Sequence, residues 1–164
     1  NKIKGKEAWI KIKVNNFSDP DLIDLLYTAG NAGVKIKLLV RGMFSLWAQE
    51  PNLSENIEAR GLIDRYLEHS RIYIFCNDGN PKIFISSADI MIRNLDRRVE
   101  VTCPIIDEAI KKQLLDIFDI YWSDNVRNRI LDKDLRNKFV KPQPKEKLIR
   151  SQIKVFEYLN ALKQ

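Results

Sequence analysis

The chain has 164 residues, a single-domain length, and 45% of them are hydrophobic, enough to bury a core. It carries 28 Lys/Arg against 22 Asp/Glu, a net charge of +6, with a single histidine and two cysteines. These numbers make a structural zinc site improbable; no apolar run reaches membrane-spanning length and no signal-peptide pattern is present.

In chain order, Ala8 to Val14 alternates Trp9, Lys11 and Lys13 with Ile10, Ile12 and Val14, the period-2 signature of a strand with one buried face. Asp19-Pro20 predicts a helix start, with a capping side chain followed by proline at the first helical position. Leu22, Ile23, Leu25, Leu26 and Ala29 form its apolar face, and Gly30 and Gly33 end it. Val34–Val40 reads as the next strand, and a strand-helix-strand unit implies parallel pairing. Pro51–Asn56 reads as loop, and Ile57–Leu67 fits strand and helix alike. Arg71–Phe75 and Lys82–Ser86, joined by the turn signal Asn77-Asp78-Gly79-Asn80-Pro81, predict a hairpin. Val99–Thr102 reads as a strand ended by Pro104, Asp107–Trp122 as a helix, and Lys145–Leu162 as a last helix after Pro142 and Pro144. The expected class is α/β with a mixed sheet.

The chain begins Asn1-Lys2-Ile3, and its first segment already reads as structure, so it is expected to be a fragment of a longer protein. Residues 127–164 hold eleven Lys/Arg against four Asp/Glu, so the basic excess lies in a C-terminal extension following an α/β core of about residues 8–126. Such a stretch is either a solvated face or a contact for an anionic partner. Cys76 and Cys103 stand singly in apolar segments and read as buried free thiols, which suits the cytosol. Trp9, Trp47 and Trp122 read as core or interface, since they are not interleaved with basic residues.

The chemistry concentrates in Glu68-His69-Ser70-Arg71, Ser86-Ser87-Ala88-Asp89 and Arg93-Asn94-Leu95-Asp96-Arg97-Arg98. The lone histidine stands among arginines and serine hydroxyls, an inventory suited to holding and protonating phosphate oxygens. Arginine presents a planar fork of donors that matches phosphate, and histidine exchanges protons near neutrality. Arg41 follows an apolar strand and precedes Gly42, where ligands of open α/β sheets bind. Arg98 alternates with Asp96 and Glu100 on the polar face of the expected strand, which would equally suit a surface ion-pair ladder. With neither a G-x-x-x-x-G-K-[ST] loop nor a G-x-G-x-x-G fingerprint, any phosphate must be held by side chains.

At these residues the chain resembles the C-terminal domain of the long bacterial polyphosphate kinase, a family with a phospholipase D-like fold. The matching pieces run in order over residues 8–160: Asp19-Pro20, Ala32-Gly33-Val34-Lys35-Ile36, Val40-Arg41-Gly42, Leu53-Ser54-Glu55-Asn56-Ile57, Leu67-Glu68-His69-Ser70-Arg71-Ile72, Ser86-Ser87-Ala88-Asp89, Arg93 to Val101, and Arg150-Ser151-Gln152. The resemblance implies a phospholipase D-like half-domain with a mixed β-sheet flanked by helices. It implies reversible transfer of the terminal phosphoryl group of ATP to polyphosphate, with Mg²⁺ and through a phosphohistidine. The phosphohistidine and the magnesium-binding arginines belong to a preceding domain, so the fragment alone is expected to be inactive and to hold no metal. It further implies phosphate contacts from Arg41, His69 and Arg98, with His69 as general acid/base or charge stabiliser. Glu68, Arg71, Ser87, Asp89 and Arg97 are expected to support them. The implied partners are ATP or ADP and polyphosphate, with a homo-oligomeric full-length protein, no specific nucleic acid and a cytoplasmic setting.

Two departures stand out. Met43-Phe44-Ser45-Leu46-Trp47 follows Val40-Arg41-Gly42 where the family often has cysteine and proline. Against the phospholipase D pattern H-x-K-x₄-D, His69 is followed by Arg71 and Cys76. The competing readings are a phospholipase D-like phosphodiesterase or nuclease half-domain, and a non-enzymatic anion-binding module.

Overall fold

A computed structural model describes Lys2 and residues 5–162. Strand β1 (Trp9–Val14) lies at the centre of a seven-stranded sheet, parallel to β2 (Lys35–Val40), which is parallel to β3 (Ile57–Gly61). On the other side of β1 run β4 (Arg71–Phe75), β5 (Lys82–Ser86) and β6 (Thr102–Ile105), each antiparallel to its neighbour. The two-residue β7 (Arg129–Ile130) closes the far edge against β3, giving the order β6-β5-β4-β1-β2-β3-β7. The expected mixed sheet, strand-helix-strand unit and 71–86 hairpin are all present.

Helix α1 (Pro20–Asn31) begins where expected. The Asp19 carboxylate accepts from Leu22 N at 3.0 Å, satisfying one of the free amides of the first turn. Beyond its C-terminus Gly33 takes φ +89°, which a side chain would resist. Ile23 is buried, with Leu22 and Leu26 packed beside it on one sheet face against Ile12, Val14, Ile36, Leu38 and Val40. Leu25, expected on that apolar face, points outward. Helix α3 (Glu108–Trp122), capped by Asp107, covers the other face with Phe118, Tyr121 and Trp122 against Leu39, Ile72, Ile74 and Ile83. Helix α4 (Ser151–Ala161) packs on α3. The layers are helix, sheet, helix, and both faces of the central strands are covered.

That double cover changes the reading of β1. Lys13 belongs to the face expected to be polar, yet it is buried under α3. Its neighbour Lys11 lies 5.1 Å from the Trp9 ring and 5.7 Å from the Phe118 ring. Lys37 and Arg60 likewise stand over Trp122, at 5.0 and 4.3 Å, so these half-buried cations lie over aromatic rings.

Several elements depart from the sequence-based expectation. Ile57–Leu67 resolves as a strand that stops at Gly61, because β2 supplies its ladder. The strand expected at Val99–Thr102 starts at Thr102 and runs through Pro104. Proline is tolerated there because β6 is an edge strand with no further neighbour. Asp96, Arg98 and Glu100 therefore do not share a strand face: Asp96 ends the short helix α2 (Ile92–Asp96), whose first turn has no capping side chain to announce it, and Arg98 and Glu100 lie in the connection from α2 to β6. The last helix begins at Ser151, not Lys145. Asn125 exchanges bonds with Ile149 (Ile149 N to Oδ1, 2.8 Å) and donates from Nδ2 to the Lys147 carbonyl, which holds that segment out of the helix. The basic stretch 127–164 contributes β7 to the sheet and α4 to the layer over α3. Cys76 is buried but Cys103 is exposed on the edge strand. Trp122 is core, whereas Trp47 is exposed. No helix among the described residues is long and apolar enough to cross a membrane.

Candidate active site

Because β4 runs antiparallel to β1, and β5 and β6 alternate in turn, one end of the sheet collects chain from many segments. Asn15 and Asn16 follow β1, and Arg41 follows β2. His69 and Ser70 precede Arg71 at the start of β4, Ser87 and Asp89 follow β5, and Arg97 and Arg98 lie ahead of β6. Every sequence-predicted site residue is at this end. His69 is exposed, Arg41 and Arg71 are half-buried, and Glu68 and Asp89 are buried.

Asp89 organises one side. Its Oδ1 accepts from Asn15 N (2.8 Å), Asn15 Nδ2 (3.2 Å) and Arg71 Nε (2.9 Å), and its Oδ2 from Asn16 Nδ2 (2.9 Å) and Arg71 Nη2 (3.4 Å). Burial pushes this carboxyl up, but the bonds from Arg71, Asn16 and the Asn15 amide outweigh it and hold the group below its ordinary range. Asn15 passes the order on, since its Oδ1 accepts from Arg41 Nε at 3.0 Å. Arg71 reaches the histidine, with Nη1 donating to the His69 carbonyl at 3.4 Å and Nη2 standing 3.5 Å from Nε2. Asn16 Oδ1 accepts from Met43 N at 3.0 Å and so shapes the loop after Arg41. Gly42 fits only because it lacks a side chain: a Cβ there would lie 2.7 Å from Asn16 Oδ1.

Beneath His69 lies a buried ion pair. Lys13 Nζ stands 3.4 Å from Glu68 Oε2 and donates to Ser70 Oγ (2.8 Å) and the Ser70 carbonyl (3.1 Å), which anchors the residues on both sides of His69. Burial lowers the Lys13 pKa; Glu68 opposes that shift, and Arg41 and Arg71 add to it. Glu68 Oε1 accepts from Gln152 Nε2 of α4 at 2.7 Å. The Tyr121 hydroxyl is pushed up by burial first and by the adjoining Glu68 second.

The segment before β6 is joined more lightly. Ser87 Oγ bonds Glu100 and accepts from Val101 N at 3.0 Å, and Asn94 Nδ2 donates to Glu100 Oε1 at 2.6 Å. Those hydroxyl and amide donors hold the Glu100 carboxyl below its usual range. Ser87 thus orients this segment and not His69. Arg97 and Arg98 are exposed and share no hydrogen bond with the Asp89 network among the described residues.

Sequence reasoning missed Lys13, Asn15, Asn16, Tyr121 and Gln152. Asn15-Asn16 could have been found by the argument applied to Arg41, as polar residues directly after an apolar strand. Lys13 could not, because its burial depends on α3. The assembled end presents arginine guanidiniums and one exposed imidazole over a floor of paired charges. It can bind an anion with several oxygens and give or take a proton beside it. Among the described residues no cluster of three or more His, Cys, Asp or Glu side chains could hold a metal ion.

Known proteins resemble this chain over nearly its whole length. The family described as "Polyphosphate kinase C-terminal domain 2" matches residues 1–152. The chain is 46% identical over 160 residues to the polyphosphate kinase of Yersinia pestis, covering 98% of this chain and 23% of that protein. Against the Vibrio cholerae polyphosphate kinase it is 48% identical over 155 residues, covering 94% and 22%. The chain therefore spans under a quarter of the length of these relatives. The crystal structure of polyphosphate kinase from Porphyromonas gingivalis superposes with a TM-score of 0.94 at 39% identity, over 98% of this chain and 24% of that one. A phospholipase D family member, Nuc from Salmonella typhimurium, superposes at 0.58 with 15% identity over 80% and 86%, which speaks to the fold alone.

Proposed function

The chain belongs to the family of polyphosphate kinase C-terminal domains, and from that we propose that it supplies one wall of a polyphosphate kinase active site. In this reading a longer protein reversibly transfers the terminal phosphoryl group of ATP to polyphosphate through a phosphohistidine of a preceding domain. Residues 1–164 act as one domain, in a cytoplasmic homo-oligomer. Arg41 and Arg98 hold phosphate oxygens, and His69 transfers a proton or neutralises charge beside them. The observation that carries the reading is the convergence of Arg41, His69 and Arg71 on one sheet end over a carboxylate floor that is already paired. Phosphoryl transfer asks mainly for positioning and charge neutralisation, and such a wall provides both.

Mg²⁺, which the family implies, does not fit the two buried carboxylates of this site. Glu68 is occupied by Lys13 and Gln152, and Asp89 by Asn15, Asn16 and Arg71, so no step is routed through a metal here. A phospholipase D-like hydrolysis is less favoured, because Arg71 and Cys76 stand where that pattern has lysine and aspartate.

The test is polyphosphate synthesis by the full-length protein. Arg41→Ala and Arg98→Ala are each expected to lower turnover by about 10²–10³, and His69→Gln by about 10²–10⁴. Lys82→Ala, at the opposite end of β5, serves as comparison. Losses no larger than that of Lys82→Ala would overturn the reading.

A further inference from the structure

We propose that Asp89 is a positioning residue: one buried carboxylate that sets Arg41 and the Arg71–His69 pair as a single unit. The proposal rests on the reading above and adds to it how the wall is held in register. Asp89 is 4% exposed and meets five donors drawn from two other segments, the end of β1 and the start of β4. None of its bonds goes to solvent-facing scaffold. Those through Asn15 and Arg71 lead to the Arg41 and His69 side chains, and the one through Asn16 leads to the backbone of the loop after Arg41.

The geometry fixes orientation as well as place. Both Asn15 donors, N and Nδ2, are directed to Asp89, so Oδ1 has to face the other way, and there it receives Arg41 Nε. With Nε engaged, and no other Arg41 side-chain bond among the described residues, both terminal nitrogens of the guanidinium are left for a ligand. Arg71 is held at two points: Nε and Nη2 both reach Asp89, which sets Nη1 on the His69 carbonyl and Nη2 3.5 Å from His69 Nε2. Asn16 carries the same control to the Gly42–Met43 backbone. The five donors need an acceptor with two anionic oxygens. Asparagine at this position would keep the shape but turn an amide donor against donors, releasing Asn16 and Arg71 Nη2 together.

A clasp that merely joined loops would affect all site residues alike. A positioning residue couples to those it holds, and Arg98 shares no bond with it. In the full-length protein, Asp89→Asn is expected to lower kcat for polyphosphate synthesis by about 10–100-fold, in line with the sensitivity of transfer rates to small misplacements. In an Arg41→Ala or an Arg71→Ala background the same substitution should keep only the share of its effect that runs through the arm still present, in the Arg41→Ala/Arg71→Ala double background it should cost no more than about twofold, and in an Arg98→Ala background it should keep its full effect. Asn15→Leu, which keeps the backbone bond to Asp89 but loses the link to Arg41, should be silent after Arg41→Ala and additive with Arg71→Ala. It decides the matter if Asp89→Asn does not fold. Equal losses in all backgrounds, or no loss in the single variants, would overturn the inference while leaving the kinase reading intact. If Arg41→Ala and His69→Gln themselves retain full turnover, the reading falls and takes this inference with it.

Discussion

Replacing Lys13 with methionine tests the buried floor of the site. The substitution keeps the length and apolar stem of the side chain but leaves Glu68, itself 8% exposed, without its cation. At 3.4 Å and an effective dielectric of about 20, the attraction lost is about 5 kcal/mol. Relief of the lysine's own desolvation offsets part of it, and Gln152 still donates to Glu68 at 2.7 Å. Breaking a buried pair by removing one partner typically costs about 3–5 kcal/mol; the retained Gln152 bond places this case near the lower end. For a domain of this size a loss of about 3 kcal/mol corresponds to a fall of about 6–12 °C in Tm. Thermal unfolding should show that drop for Lys13→Met and for Glu68→Leu alike. The double variant Lys13→Met/Glu68→Leu should recover most of it, since no unpaired charge remains. A single-variant change below about 1 kcal/mol, or losses that simply add in the double variant, would refute the claim that the two charges face each other in a dry interior.

Gly42→Ala places a methyl group 2.7 Å from Asn16 Oδ1 and 3.1 Å from the Asn15 carbonyl; overpacking of this kind costs about 1–3 kcal/mol, and turnover should fall by more than Tm would suggest, as kinetics beside a melting curve would show. Acid should destabilise the fold through two carboxylates. Arg150 holds Asp64 below its ordinary range against the opposing effect of burial, and Asp89 is held below it as described, so the stability they add is present above about pH 4 and is lost as pH falls through their lower folded values. Asp64→Asn, which breaks the paired bonds from Arg150 (2.8 and 2.6 Å), should flatten that acid limb in a pH series of unfolding midpoints.

Legibility in the sequence followed the range of the physics. The Asp19-Pro20 start of α1, the 71–86 hairpin and the run of α3 are set by local propensities and periodicity, and they stand where the pattern puts them. His69, Arg41 and Asp89 could be singled out because strand ends and charged triplets are visible along the chain. Features that depend on distant segments were not visible. Lys13 reads as a surface residue until α3 arrives over it, and the same cover turns Lys11, Lys37 and Arg60 onto aromatic rings. The six residues before Ser151 look helical, yet Asn125, more than twenty residues earlier, claims their backbone. The sequence by itself determined the chemistry available, arginines and one imidazole with carboxylates to match them. Only the tertiary structure decided which carboxylate serves which cation, because that depends on strands β1 and β4 lying antiparallel and bringing Asn15, Arg71 and Asp89 within hydrogen-bond reach across 74 positions of chain.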